Sequence, residues 1–163
     1  YLWMLESNEI AKTNMIKEAN SIGVDTKRII FSKRIPLRDH MSRQSCADLM
    51  LDTFNFSSGV MTCLAIKCAL PVLTLPGNTL SSRLSASILR SLNLTELIAT
   101  DQDDYLKKAI HLSDKKHSNK LKEKIISLQK TAPYFNSQNY CNDFEQLLKK
   151  LIDSYQANKF INF

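Results

Sequence analysis

The residues best suited to binding chemistry are a histidine and the cations around it. His40 lies close along the chain to Lys33, Arg34, Arg38 and Arg43. An imidazole can donate a hydrogen bond to a phosphate, and neighbouring cations stabilise the negative charge. The cluster therefore indicates an anion site. A surface histidine on a basic amphipathic helix explains the same pattern and, taken alone, is the favoured interpretation.

The remaining acidic residues and histidines give weaker signals for catalysis. Asp48 and Asp52 flank a predicted strand, where residues four apart share a face but lie far from each other, so we interpret both as structural. His111 and His117 lie in a predicted helical region without partners nearby in the sequence, and we interpret them as structural too. No general base is identified among these residues.

The four cysteines do not have the spacing of a metal site. Cys63 and Cys68 are five residues apart, not separated by the two-residue gap of a zinc knuckle, and no histidine lies near them. Three of the four cysteines lie in apolar runs and are predicted to be small buried side chains. The pattern predicts no metal site, no disulfide framework, and a reducing, cytoplasmic compartment.

The composition excludes two common phosphate-binding devices and a membrane span. Only three scattered glycines occur in 163 residues, so neither G-x-G-x-x-G nor a P-loop is present. Hydrophobic residues make up 44% and charged residues 23%, which predicts a globular chain rather than a disordered one. Lys67 and Pro71 interrupt the longest apolar stretch, residues 63–76, so no membrane partner is expected.

The net charge of +6 comes mostly from one segment. Residues 115–130 contain six lysines and a single acidic residue, Glu123. A lysine-rich helix can contact nucleic acid or an anionic membrane. Because no arginine or aromatic residue is interleaved with the lysines, the pattern favours a solvated helix face over a nucleic-acid partner.

Short apolar runs alternate with longer amphipathic stretches. The runs predict strands at residues 2–5, 28–32, 47–52 and 71–75, and the stretches predict helices at residues 8–22, 36–43, 60–69 and 81–92. This alternation predicts an α/β fold, a Rossmann-like parallel sheet with helices on both faces. We expect residues 1–100 to form this lobe, and residues 101–163 to form a helical C-terminal extension packed on it.

Ligands of such folds bind beyond the carboxyl ends of the strands, where loops enter helices. Three loops qualify here: residues 32–40, 53–61 and 76–79. Each presents backbone N–H groups and the positive end of a helix dipole to an anion. A nucleotide diphosphate is therefore a suitable guest.

Two sequence signatures occupy these loops and their flanking strands. The first contains residues 28–32, Pro36, residues 39–40 and residues 47–53, and the second runs from residue 71 to residue 83. Residues 85–87, 97–99 and 134–136 continue the pattern. In this order and without large gaps, the chain resembles the C-terminal half of glycosyltransferase family 41, the O-GlcNAc transferases and SPINDLY-like proteins.

The resemblance implies one part of a GT-B enzyme with two facing Rossmann-like lobes. Such an enzyme transfers a sugar from a nucleotide sugar, usually UDP-GlcNAc, to Ser or Thr of an acceptor protein, and this chain would be the UDP-binding lobe. Its catalytic residues are expected in an N-terminal lobe upstream of Tyr1, commonly preceded by a TPR array. Apart from the donor sugar, no cofactor or metal is expected.

Carried over by position, the resemblance assigns donor contacts to two segments. In the first, the uracil is expected at the backbone of Ile35, Pro36 and Leu37, and His40 approaches the donor together with the helix start that includes Arg43. A lysine often follows the proline of this loop in the family, whereas this chain has Leu37.

The second assigned segment lacks the family's polar side chains. Gly59, Val60 and Met61 stand where a His-Thr-Thr or Gly-Thr-Thr run usually holds the diphosphate. Leu64 stands where an acidic residue usually binds the ribose, and Asn78 replaces a usual glutamate. Backbone N–H groups survive these substitutions, but several hydrogen bonds to the nucleotide are lost.

Two functions are compatible with this pattern. The chain is either the donor-binding lobe of a protein O-GlcNAc transferase-like enzyme, inactive on its own, or a degenerate, non-catalytic relative that acts as a protein-interaction module. The persistence of the hydrophobic framework fits both interpretations, and the loss of donor-site polar groups motivates the second.

Overall fold

The protein was analysed as a computed structural model that describes residues 1–157. Residue-to-residue contacts divide the chain into two compact units, Tyr1–His40 and the remainder from Met41. The last six residues of the predicted helical extension lie outside the described part.

The first unit is a β–α–β element. Strand β1 (Leu2–Leu5) and strand β2 (Ile29–Ser32) pair in parallel, with Leu2 opposite Ile29. Helix α1 (Glu9–Ser21) connects them, and the Asn8 side chain caps it by accepting a 2.7 Å hydrogen bond from the Ala11 N–H. The parallel pairing requires this helical crossover, as the alternation of runs predicted.

The second unit repeats this arrangement with shorter strands. Helix α2 (Leu37–Gln44) begins in the last residues of the first unit and ends in the second. It is followed by strand β3 (Met50–Leu51), helix α3 (Val60–Lys67), strand β4 (Val72–Leu73) and helix α4 (Leu80–Ser91). Strands β3 and β4 pair in parallel, and Thr74 forms a parallel bridge with Ile98 on the other side of β4. Both strands are shorter than predicted, and β4 begins after Pro71, which has no N–H to donate to a ladder.

Helices fill the rest of the described chain, as predicted. They are α5 (Gln102–Leu112), α6 (Lys115–Thr131) and α7 (Ser137–Gln156). Leu112 of α5 and Ile125 of α6 are buried in one hydrophobic cluster with residues of α3, β4 and α4, including Ile66, Val72 and Leu89. None of the helices within residues 1–157 is long and apolar enough to span a membrane.

Two lysines of α6 are bound by the protein itself. The Lys122 ammonium donates a 2.7 Å hydrogen bond to the Ala47 carbonyl oxygen. The Lys124 ammonium forms an ion pair with the Glu96 carboxylate. These contacts support the interpretation of α6 as a structural helix with a solvated face.

Candidate functional site

The start of helix α3 (Val60–Lys67) is the place where the resemblance puts the contacts to the diphosphate. The loop that leads to it, residues 53–59, is called the β3–α3 loop below. Its last residue, Gly59, caps the helix with a φ of 33°, in the region that L side chains rarely adopt. A Cβ atom added at Gly59 would lie 3.3 Å from Leu84 Cδ1. Glycine therefore allows α3 to start close against α4.

Asp52 holds one end of the β3–α3 loop. The residue is 3% exposed. Its carboxylate accepts 2.7 Å hydrogen bonds from the Ser58 backbone N–H and the buried Thr74 hydroxyl. The Tyr105 hydroxyl donates a 3.0 Å hydrogen bond to the Asp52 carbonyl oxygen. The structural role assigned to Asp52 from the sequence is confirmed, and the role is to fix this loop.

Serine and threonine hydroxyls hold the other end against α4. The buried Ser57 hydroxyl donates to the Ser81 carbonyl oxygen at 2.8 Å and accepts from the Ser85 N–H at 3.2 Å. The Thr62 and Ser85 hydroxyls lie 2.7 Å apart, and both residues are fully buried. Thr62 is therefore a fold contact and does not replace the hydroxyls missing at residues 60 and 61.

The start of α3 combines the positive end of the helix dipole with apolar side chains. The Met61 N–H donates to the Ser58 carbonyl oxygen at 2.7 Å, and the Cys63 N–H donates to the Gly59 carbonyl oxygen at 3.1 Å. The Val60 side chain is 74% exposed, and Phe56 of the loop is 68% exposed. An anion at this place would meet the positive end of α3 without any side-chain donor from Val60 or Met61.

Leu64 lies one turn along α3 from Val60 and is half-buried. Its side chain has no polar atom, so it cannot bond to a ribose hydroxyl. The structure thus brings Gly59, Val60, Met61 and Leu64 together on the first two turns of one helix.

The other assigned residues lie on the segment that leads into α2. Ile35 is half-buried, whereas Pro36 and Leu37 are exposed. His40 is half-buried, and its backbone N–H donates a 2.9 Å hydrogen bond to the Pro36 carbonyl oxygen. Arg43 follows one turn later in α2 and is also half-buried. The segment thus offers backbone groups, one imidazole and one guanidinium on a short helix.

The surroundings of Tyr105, which include Asp52, change the pKa of its hydroxyl. Burial, and then the negative charge of Asp52, raise the pKa of the Tyr105 hydroxyl to about 12. Because the pKa of Tyr105 is higher in the folded than in the unfolded state, its contribution to stability is fully present below the ordinary tyrosine pKa near 10. That contribution is lost as the pH rises toward 12.

We expect the urea concentration at the midpoint of unfolding to decrease as the pH is raised from about 10 to about 12. The decrease should be smaller in Tyr105→Phe. Absorbance titration of the tyrosines would follow the same transition. Tyr1→Phe, at a residue that is 90% exposed, is the control and should keep the wild-type profile. An unchanged profile in Tyr105→Phe would contradict the assignment.

The cysteines are more exposed than predicted. The prediction that three cysteines are buried is wrong, because Cys46 and Cys141 are exposed and Cys63 and Cys68 are half-buried, all as free thiols. Cys63 Sγ lies 3.1 Å from the Tyr134 hydroxyl oxygen at the edge of a groove of about 880 Å³. In residues 1–157 no three His, Cys, Asp or Glu side chains are grouped to hold a metal ion.

His111 and His117 have partners that their sequence positions did not reveal. Their ring centroids lie 3.8 Å apart, and the ring planes are tilted by 32°. His117 Nδ1 also lies 3.8 Å from the Asp114 carboxylate. The two histidines thus form a contact between α5 and α6.

Sequence reasoning missed Tyr105 as part of the candidate site. The residue is 53 positions from Asp52, and no local pattern links the two. The local signal for Asp52 itself was present, since a carboxylate at the end of an apolar strand precedes a turn rich in serine.

Solved structures identify the class of fold to which these elements belong. The chain is similar to a mutant O-GlcNAc transferase of Thermobaculum terrenum, with a TM-score of 0.82 and 19% sequence identity. The similarity covers 94% of this chain and 31% of that chain. The architecture is therefore part of a GT-B glycosyltransferase fold with a helical C-terminal tail, as predicted.

The chain belongs to glycosyltransferase family 41, whose family model, Glycosyl transferase family 41, matches residues 1–144. It is 29% identical over 158 residues to the UDP-N-acetylglucosamine--peptide N-acetylglucosaminyltransferase of Caenorhabditis elegans, covering 96% of this chain and 14% of that protein. It is 26% identical over 136 residues to a probable transferase of this type, SPINDLY, from Solanum lycopersicum, covering 82% and 15% respectively. The chain thus spans about one-seventh of the length of these curated relatives.

Proposed function

We propose that this chain is the donor-binding lobe of a protein O-GlcNAc transferase-like glycosyltransferase. The observation that carries the proposal is the start of α3, where a buried aspartate and a glycine with positive φ fix a helix N-terminus beyond a parallel strand. Family membership supports it, because two relatives are named as transferases of N-acetylglucosamine from UDP to peptides. The reaction is sugar transfer from a nucleotide sugar, UDP-GlcNAc in the first instance, to Ser or Thr of an acceptor protein.

Within this proposal, the start of α3 receives the diphosphate. Gly59, Val60 and Met61 offer the positive end of the helix dipole, and Leu64 lies on the ribose side. The second contribution comes from the segment entering α2. There the backbone of residues 35–37 accepts the uracil, and His40 and Arg43 supply hydrogen bonds and positive charge.

The proposal also covers the organisation of the whole protein. Residues 1–100 form the nucleotide-sugar lobe, and residues 101–163 form the helical extension. The catalytic residues belong to an N-terminal lobe, and a TPR array presents the acceptor. We also propose a cytoplasmic location, because four free thiols suit a reducing compartment.

One observation favours the alternative function, a degenerate relative that acts as a protein-interaction module. Phe56 and Val60 are 68% and 74% exposed beside the helix start, and Leu80 of α4 is 75% exposed. Exposed apolar side chains of this kind suit a protein partner better than a charged nucleotide. The two functions differ in whether the chain binds UDP at all.

Titration of UDP, UDP-GlcNAc and uridine into the purified chain tests the proposal. We expect millimolar UDP to raise the melting temperature by linkage, and uridine to raise it less because it lacks the diphosphate. His40→Ala should weaken UDP binding, whereas His111→Ala, an equivalent change in α5, should not. Calorimetry measures the affinities directly. No stabilisation by millimolar UDP would overturn donor binding by this chain and favour the interaction module.

A further inference from the structure

The backbone at the end of strand β3 is held by a helix that comes much later in the chain. Asp52 lies one position beyond Leu51, the last residue of β3 that pairs with β4. Because Asp52 is buried, its carbonyl oxygen needs a hydrogen-bond donor where the strand ends. The Tyr105 hydroxyl of α5 supplies that donor at 3.0 Å. Tyr105 thus fixes the backbone at the point where the β3–α3 loop begins.

The Tyr105 ring makes a second contact with the same loop. Its centroid lies 5.1 Å from that of the Phe54 ring at an interplanar angle of 86°, a favourable edge-to-face geometry for two aromatic rings. Phe54 is 41% exposed, so burial in the core does not hold its side chain. One side chain of α5 therefore holds residue 52 through its hydroxyl and residue 54 through its ring.

Helix α5 is also tied to the strand that binds the Asp52 side chain. The Lys108 ammonium donates a 2.7 Å hydrogen bond to the Ile98 carbonyl oxygen. Ile98 forms the parallel bridge with Thr74, and the Thr74 hydroxyl donates to the Asp52 carboxylate. Helix α5 therefore supports Asp52 along two routes, directly through Tyr105 and indirectly through the bridge at Thr74.

The two ends of the β3–α3 loop are thus held by different helices. Helix α4 holds the end next to α3, where Ser57 bonds to the Ser81 carbonyl oxygen, and α5 holds the end next to β3 through Tyr105. Between these points, Asn55 and Phe56 are exposed. Helix α3 starts directly after the loop, so the loop determines where its first N–H groups lie. If one end is released, a ligand of these N–H groups binds only the fraction of molecules whose loop is in place.

We propose that Tyr105 is a positioning residue for the donor site, which fixes the β3–α3 loop so that the start of α3 meets the diphosphate. The ligand in this inference rests on the proposed function, whereas the hold on the loop is measurable without any ligand. The inference gives α5 a part in donor binding, although none of the contacts assigned from the family lies on that helix.

Amide hydrogen exchange, followed by NMR on the full chain, tests the hold on the loop. Tyr105→Leu removes both the hydroxyl and the aromatic ring. We expect the Ser58 N–H, which is bonded to the Asp52 carboxylate, to exchange at least about tenfold faster in this variant because the loop opens locally. The Leu94 N–H, bonded to the Leu89 carbonyl oxygen in the core, reports on wider opening. Tyr105→Phe keeps the ring and should give a smaller increase at Ser58.

Phe135→Leu is the matched control for loss of an aromatic contact. Phe135 is half-buried, and its ring makes an edge-to-face contact with Tyr134 at a centroid distance of 5.1 Å. In this control the Ser58 N–H should exchange as in the wild type, and the Leu94 N–H should change at least as much as in Tyr105→Leu. Equal acceleration of Ser58 and Leu94 in Tyr105→Leu would overturn the proposal, because Tyr105 would then be an ordinary packing residue.

Calorimetric titration tests the consequence for the donor site. We expect Tyr105→Leu to bind UDP about threefold more weakly, as the fraction of molecules with the loop in place falls to about a third. Uridine binding should not change, because uridine has no diphosphate to place at α3. Equal UDP affinities in Tyr105→Leu and Phe135→Leu would overturn the role in donor binding. A wild type that does not bind UDP would instead overturn the proposed function, and the exchange rates would still decide whether Tyr105 fixes the loop.

Discussion

Replacing Asp52 with alanine is expected to lower the free energy of unfolding by about 3 kcal/mol, because one buried and one half-buried hydrogen-bond donor lose their charged acceptor. The donors are the Ser58 N–H and the Thr74 hydroxyl, each 2.7 Å from the Asp52 carboxylate. Thr74 is fully buried, so water cannot replace the lost partner without opening the core. The urea dependence of unfolding, followed by circular dichroism, measures the change.

Two further variants make this prediction specific to the hydrogen bonds. Asp48→Ala removes a carboxylate four residues away whose side chain is 51% exposed, and we expect a change within about 0.5 kcal/mol. Thr74→Val combined with Asp52→Ala should cost less than the sum of the single changes, since both remove the same bond. If Asp52→Ala were no more destabilising than Asp48→Ala, the β3–α3 loop would not depend on Asp52.

Restoring polar side chains at the start of α3 is expected to raise UDP affinity by about two orders of magnitude. The triple variant Val60→Thr, Met61→Thr and Leu64→Asp adds two hydroxyls and one carboxylate as hydrogen-bonding groups. At about 1 kcal/mol for each of these hydrogen bonds, the sum corresponds to a factor of about 100 in the dissociation constant. Calorimetric titration of UDP into both proteins measures the gain.

The control for this experiment introduces a hydroxyl outside the candidate site. Ile110→Thr replaces a residue of α5 that is 65% exposed and should leave UDP affinity unchanged. The double variant Val60→Thr and Met61→Thr separates the hydroxyls from the half-buried position 64. A well-folded triple variant without any gain in affinity would show that the α3 start does not receive the diphosphate.

Local sequence patterns predicted which helices and strands form more accurately than they predicted the lengths of these elements. The helical spacing of Ala11, Met15, Ala19 and Ile22 and the stop at Gly23 define α1 closely. The runs at residues 47–52 and 71–75 yielded strands of only two residues each. Strand length depends on which backbone groups find partners across the sheet, and apolar character alone does not determine it.

The position of the loop–helix transition before α3 was predictable, but the contacts within it were not. The loop–helix transition at Gly59 follows from the alternation of runs and the turn residues around it. The bonds from Ser57 to Ser81 and from Thr62 to Ser85 join residues more than 20 positions apart. Such pairings depend on how α3 and α4 pack, and a single sequence has no periodic signal for them.

The exposure of α7 was also beyond the sequence. The large apolar side chains from Tyr140 to Tyr155 have helical spacing, and they lie on α7. Periodicity identifies an apolar face but does not identify what covers it, since the same stripe suits a core contact within the chain or a contact with another molecule.

The buried hydrogen bonds behind α3 have a consequence for how this protein can evolve. Asp52, Ser57, Thr62 and Ser85 fix the backbone at the helix start from the inside. Val60, by contrast, faces solvent and contributes little to the fold. Substitutions at exposed positions of the candidate site therefore cost little stability. Over evolution, the affinity for one ligand can be lost and another gained while the protein stays folded.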